Sequence, residues 1–174
     1  NVAIAYGMGI TAEKVAEKWK VSREAQDGFA LQSHQRAISA IERGEFREEI
    51  SPYTIDGNWP DLNLHQVHHV SVMKDTDEGP RADTSPEALA RLRPVFAAQG
   101  SVTAGNSSQM SDGAGAVVVM SEAAMQRFNL TPLGRFIGYS VTGVPPEIMG
   151  IGPIKAIPKV LQQTGIKQDE LDWI

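Results

Sequence analysis

The longest helical pattern in the chain lies between residues 22 and 44, in SREAQDGFALQSHQRAISAIERG. There Ala25, Phe29, Ser33, Ala37 and Ile41 recur at every fourth position, with Ala30 and Ile38 beside them. The spacing predicts an amphipathic helix opened by Ser22 and stopped by Gly44, a residue suited to the left-handed turn that ends a helix. Upstream, Thr11 precedes AEKVAEKW with Glu13 in the first turn, which predicts a short helix capped by Thr11. Ser85-Pro86-Glu87 is a further start signal: serine caps, proline suits the first helical position, and the acid meets the positive end of the helix dipole. The helix it opens, EALARL, ends before Pro94. SEAAMQRF predicts another short helix, and IKAIPKVLQQTG a helix interrupted near Pro158 and closed by Gly165.

Other stretches are apolar without helical phase. SVTAG predicts a short strand, GAGAVVVMS a strand buried on both faces, and GRFIGYSVTG and LDWI two more. The last third therefore alternates strand and helix, an α/β layout. Residues 51 to 80 mix Pro52, Gly57, Pro60, Gly79 and Pro80 with short alternating pieces such as LHQVHHV, which predicts an irregular loop containing one hairpin. No internal repeat is visible. The chain starts at Asn1 inside the apolar NVAIAY and stops at Ile174 inside DELDWI, which suggests a piece of a longer polypeptide.

Composition narrows the function classes. A chain of 174 residues has room for a sizeable core, and 41% hydrophobic with 21% charged residues is an ordinary globular balance. The net charge of −5 argues against binding nucleic acid or anionic lipid by bulk electrostatics, so an anionic ligand would need a local basic patch. With no cysteine, these residues hold no disulfide, thiolate metal site or cysteine nucleophile. No run reaches the roughly 18 apolar residues of a membrane span. An intracellular protein is expected, cytoplasmic if bacterial.

Several apparent motifs have plainer explanations. Gly7, Gly9 and Ala12 match the spacing of a dinucleotide loop, but Ser22 opens another helix where a Rossmann unit needs a second strand. His65, His68 and His69 cluster without an acidic or cysteine partner at a recognised metal spacing, so solvated loop histidines explain them. Ser107, Ser108 and Ser111 lack a G-x-S-x-G elbow, and the glycines lack the G-K-[ST] of a P-loop. The stretch TAGNSSQMSDGAGAVVVM does place small residues directly before an apolar run. Glycine and serine there admit two explanations: a wall on which a linear ligand lies close to main-chain groups, or a tight turn before a core strand.

Four segments carry a family resemblance. TAGNSSQMSDGAGAVVVMSEA, VPPEIMGIGP, GITAEKVAEKWKVSREAQDGFALQSHQRA and ALARLRPVF together resemble the middle of a thiolase, most similar to the degradative 3-ketoacyl-CoA thiolases. The resemblance spans nearly the whole chain and is loose only over residues 54 to 80. It implies an enzyme that cleaves 3-ketoacyl-CoA with CoA to acetyl-CoA and a shortened acyl-CoA, or runs the reverse condensation. In such enzymes one cysteine thiolate takes the acyl group and a second acts as acid and base, while Asn-Glu-Ala-Phe and Gly-His-Pro segments help form oxyanion sites. None of those residues lies in this sequence, so the resemblance assigns it no catalytic residue. The implied fold is α/β, five-layered α/β/α/β/α, built of two βαβαβαββ halves. Residues 1–100 would be mostly the loop domain, 101–130 the end of the first half and 131–174 the truncated start of the second, with strands that pair outside this chain.

What the resemblance leaves here is the CoA-handling part. Ser108 matches a serine that hydrogen-bonds the pantetheine arm, and Ala104 a neighbour lining the same tunnel. Phe96 and Met149 match apolar contacts along the arm and near the acyl group. Arg81 matches a basic residue beside the nucleotide and, with Arg91 and Arg93, makes a local basic cluster in an acidic chain. CoA would be a substrate, with no permanently bound cofactor and no metal, and the whole enzyme a homodimer or homotetramer. Two rival classes stay open: a related-fold ketoacyl synthase, and a non-catalytic CoA-binding or interaction module.

Overall fold

A computed structural model describes residues 6–172. Its elements are α1 (Met8–Trp19), α2 (Arg23–Glu42), β1 (Tyr53–Asp61), β2 (Gln66–Lys74), α3 (Pro86–Ala90), α4 (Glu122–Arg127) and α5 (Gly152–Thr164), with short 3-10 turns at Pro146–Ile151 and Gln168–Glu170. They fall into two compact units: Ser22–Gln109, and the residues up to Val21 together with those from Met110 onward.

In the Ser22–Gln109 unit, Ser22 and Ser85 cap α2 and α3 as expected, each hydroxyl accepting from the amide three residues on, and Gly44 takes a left-handed φ of 75° just beyond α2. The buried side of α2 follows the predicted stripe only in part. Ala25 and Ser33 are exposed and Phe29 is 73% exposed, whereas Asp27 and Ala40 are buried and Arg23, Gln26, Ala30 and His34 are partly so. Ala30, Ala37, Ile38 and Ile41 of the predicted stripe are partly buried, whereas the N-terminal half of the inner face is polar, Arg23 donating to the carbonyls of Leu89 and Leu92 and Asp27 accepting from the Asn106 side chain.

The region 51–80 is more ordered than an irregular loop. β1 and β2 form a nine-by-nine antiparallel hairpin running from Tyr53 opposite Lys74 to Asp61 opposite Gln66. Its turn is built by Asp61, whose Oδ1 accepts from the amides of Asn63 (2.9 Å) and Leu64 (3.0 Å), and by His65 at φ 54°. Those bonds hold the Asp61 carboxyl below its ordinary value.

The other unit opens with α1, which begins earlier than predicted. Gly7 is its N-cap, and Thr11 lies buried inside the first turn with its hydroxyl donating to the Met8 carbonyl at 2.8 Å. The extended Gly7 lets the helix start before Thr11 can cap it. α1 packs on the 3-10 turn Pro146–Ile151, whose Ile148 is buried. Ser121 caps α4. α5 runs through Pro158 without ending there; Pro153 stands in its first turn and Gly165 closes it at φ 71°.

The strands expected at SVTAG, GAGAVVVMS and GRFIGYSVTG are not formed; among the described residues β1 and β2 make the one sheet. A strand exists only as one side of a ladder, and among the described residues no ladder pairs these segments with another strand. Val117, Val118 and Val119 are 86–88% exposed instead of buried on both faces. Residues 138–142 nevertheless lie along α5: Ser140 Oγ donates to the Ala156 carbonyl (2.7 Å) and Lys159 Nζ to that of Val141 (3.0 Å). A side chain at Gly138 would stand 2.4 Å from Thr164 Cγ2, so this close approach requires glycine. Of the strand predicted at LDWI, Leu171 and Asp172 form no strand and residues 173–174 lie outside the described residues.

Candidate functional site

The site is a cleft of about 320 Å³ within the Ser22–Gln109 unit, walled on one side by α2 from Gln26 to Ala37 and on the other by Gly105–Gln109, with Gly79 and Pro80 at its edge. Phe29, Ala30 and Ala37 make its apolar side, and His34 and the serines supply hydrogen-bonding groups. Ser108 lines it and is exposed. Gly79 and Gln109 also border an adjoining depression that includes Lys74, Asp77, Glu78 and Arg81.

The wall carrying Ser108 is held by side-chain bonds closed on themselves. Asn106 Oδ1 accepts from the Thr103 amide (2.8 Å), and Asn106 Nδ2 donates to the Ser101 carbonyl (3.0 Å) and to Asp27 Oδ1 (2.9 Å). Ser107 Oγ donates to the Thr103 carbonyl at 2.6 Å, and Thr103 is completely buried. Asp27 Oδ2 receives Arg23 Nε at 2.7 Å, while Arg23 Nη2 donates to the carbonyls of Leu89 (2.6 Å) and Leu92 (3.0 Å) where α3 ends. Gln26 Nε2 donates to Ser101 Oγ at 2.9 Å. Gly105 is small for a packing reason: a side chain there would meet Leu92 Cδ1 at 2.5 Å and Leu89 Cδ2 at 2.6 Å. Gly113 and Gly115 face open space.

Arg81 is exposed and already partnered. Its Nε and Nη2 grip the two oxygens of Asp83 at 3.1 and 2.8 Å. The pairing holds the Asp83 carboxyl below its ordinary value and pushes the Arg81 guanidinium up. Lys74 pairs with Glu78 beside it. The nearby cations thus stand matched with acids, and an anion at this edge would compete with Asp83 for the guanidinium. The backbone of Arg81 is fixed separately, its amide donating to His34 Nδ1 at 3.1 Å, which leaves the ring proton of a neutral His34 on Nε2.

Of the residues singled out by sequence, Ser108 lines the cleft and Arg81 the adjoining depression. Ala104 is exposed in the turn between Thr103 and Gly105, and Phe96 is 44% exposed; neither lines the cleft. Met149 belongs to the other unit, 44% exposed on the turn that packs against α1. Arg91 and Arg93 are exposed just beyond α3. Among the described residues no group of three or more histidines and acids could hold a metal. No described helix is long and apolar enough to cross a membrane. Sequence reasoning missed Arg23, Asp27, His34 and Asn106. The spacing of Arg23 and Asp27 by one helical turn was the available signal, as was an Asn three residues after Thr103 in a turn.

Comparison with known proteins points one way. Residues 1–123 match the thiolase N-terminal domain and residues 130–174 the thiolase C-terminal domain. An acetyl-CoA acetyltransferase of Pseudomonas aeruginosa is 47% identical over 97% of this chain and 41% of its own length. Human mitochondrial 3-ketoacyl-CoA thiolase, solved in complex with CoA, superposes with a TM-score of 0.83 at 40% identity over 99% of this chain and 40% of its own. The dimeric peroxisomal thiolase of Saccharomyces cerevisiae gives a TM-score of 0.81 at 39% identity, over 98% of this chain and 40% of its own. The chain therefore spans about two fifths of the length of the relatives it matches and has the mixed α/β architecture of part of their fold. With both domain models matched in order along nearly all of it, the chain belongs to the thiolase family.

Proposed function

We propose that this chain is the CoA-handling segment of a thiolase that cleaves 3-ketoacyl-CoA with CoA to acetyl-CoA and a shortened acyl-CoA, or catalyses the reverse condensation. The observation that carries the proposal is the ordered match to both thiolase domains. Residues 1–100 then correspond to the loop domain, 101–130 to the end of the first half and 131–174 to the start of the second. The CoA complex of the human relative supports CoA as the substrate, and the dimeric yeast relative supports a homo-oligomer.

The chain's own residues would bind and orient. The Ser108 hydroxyl can exchange hydrogen bonds with an amide of the pantetheine arm, and the small side chains of Ala104 and Gly105 leave the arm room to pass. Arg81 meets the nucleotide end when it leaves Asp83, while Phe96 and Met149 offer apolar contact. The chemistry needs a thiolate to take the acyl group, and this chain holds no cysteine, so the thiolate is supplied from outside these residues. Incubating acetoacetyl-CoA and CoA with the full-length protein should yield two acetyl-CoA per acetoacetyl-CoA consumed, and the 174-residue chain alone should give none. No turnover by the full-length protein, or turnover by the chain alone, overturns the proposal.

A further inference from the structure

We infer that Asp27 and Asn106, tied to Arg23, are positioning residues that fix the loop presenting Ala104 and Ser108 to CoA; this rests on the function proposed above. Asn106 spends both amide hydrogens and its carbonyl oxygen on Asp27, Ser101 and Thr103, so it cannot rotate without breaking several bonds at once. Asp27 is buried, only 7% exposed, and bridges Asn106 to Arg23, which anchors the end of α3 through two carbonyls. The chain of contacts thus joins α2, α3 and the loop over sequence separations of 66 to 79 residues. Ala104 and Ser108, both exposed, flank the stretch from Gly105 to Ser107.

Stability alone is a poor reason for this arrangement. Buried ion pairs lose much of their attraction to desolvation, and apolar residues of similar volume often serve a core as well. Fixed geometry is what the network adds. A displaced loop moves the Ser108 hydroxyl, and a misplacement of roughly 1 Å can cost about a hundredfold in rate.

The test uses the full-length protein, with CoA affinity measured by calorimetry and thiolysis of acetoacetyl-CoA followed below each variant's Tm. Asn106→Asp places a second carboxylate against Asp27 and should lower kcat/KM about a hundredfold and weaken CoA binding. The double variant Asp27→Asn with Asn106→Asp restores a donor opposite an acceptor, and should recover roughly tenfold of that loss, since contacting residues are strongly coupled. Should Asn106→Asp fail to fold, Asn106→Ser removes the amide donors without adding charge and should show the same loss. A purely structural role would lower Tm while leaving CoA affinity and kcat/KM of the folded enzyme at the parent values, and that result overturns the inference. So does a double variant no better than Asn106→Asp. If the parent itself fails to bind CoA, the proposed function falls and the inference with it, whereas a binding parent with equally binding variants removes the inference alone.

Discussion

Residues 101–107 and 113–120 stand close in the sequence, both begin with small residues, and the structure treats them in opposite ways. The first stretch buries Val102 and Thr103 and ties Asn106 and Ser107 into hydrogen bonds contained within the Ser22–Gln109 unit. The second, GAGAVVVM, carries the more hydrophobic sequence, yet Val117–Val119 are 86–88% exposed. Apolar composition says only that a segment gains from being covered, at roughly 25 cal/mol per Å². A polar loop whose partners lie on neighbouring helices can be completed by them, but a strand needs a ladder.

Four substitutions and one titration probe that contrast, beginning with the largest effect. Ser108→Val in the full-length protein puts branched bulk on the wall of the cleft, and kcat/KM for acetoacetyl-CoA should fall about a hundredfold, independent of salt. A variant matching the parent would remove Ser108 from the site. Gly105→Ala forces Leu89 and Leu92 aside and should cost about 1–3 kcal/mol in urea unfolding of this chain, as overpacking does. Gly115→Ala, with open space around it, should stay within about 0.5 kcal/mol. Equal costs at the two positions would mean that the stretches do not differ as described.

Arg81→Ala is expected to act more weakly because the guanidinium is exposed and shared with Asp83. KM for CoA should rise roughly two- to fivefold with kcat unchanged, and the rise should shrink as salt is added. A salt-independent defect confined to kcat would place Arg81 elsewhere in the mechanism. The smallest effect is on Asp83, whose carboxyl Arg81 holds below the ordinary value of 3.8. A depressed carboxyl stabilises the fold above its unfolded pKa and loses that contribution as pH falls through the folded one. In Arg81→Ala the Asp83 resonance, followed by carboxyl NMR, should titrate closer to 3.8 and the acid loss should shrink. An unmoved titration would contradict the pairing.

What could be read in advance follows the same division. Ser22, Ser85 and Ser121 announced three helix starts because a cap is a bond between near neighbours, and Gly44 and Gly165 announced two ends because a positive φ is a property of one residue. The N-terminal part of the inner face of α2 was misjudged because Ala25 and Phe29 recur at helical spacing, while the partners that turn Arg23 and Asp27 inward lie more than sixty residues away; the later positions Ala30, Ala37, Ile38 and Ile41 are partly buried as their spacing implies. The hairpin was only half legible: its turn uses Asp61 and a left-handed His65 in place of an Asn-Gly signal. The place of Ser108 in the candidate site came from family resemblance, since no local pattern marks a cleft wall. The network behind it came from the folded geometry.

The most direct test of the account is hydrogen exchange of the full-length protein with and without saturating CoA. The account predicts that CoA slows exchange in peptides covering residues 79–81 and 104–109, while the hairpin Tyr53–Lys74 is unchanged. Exchange at 104–109 that CoA leaves untouched, with slowing confined to other segments, would contradict it.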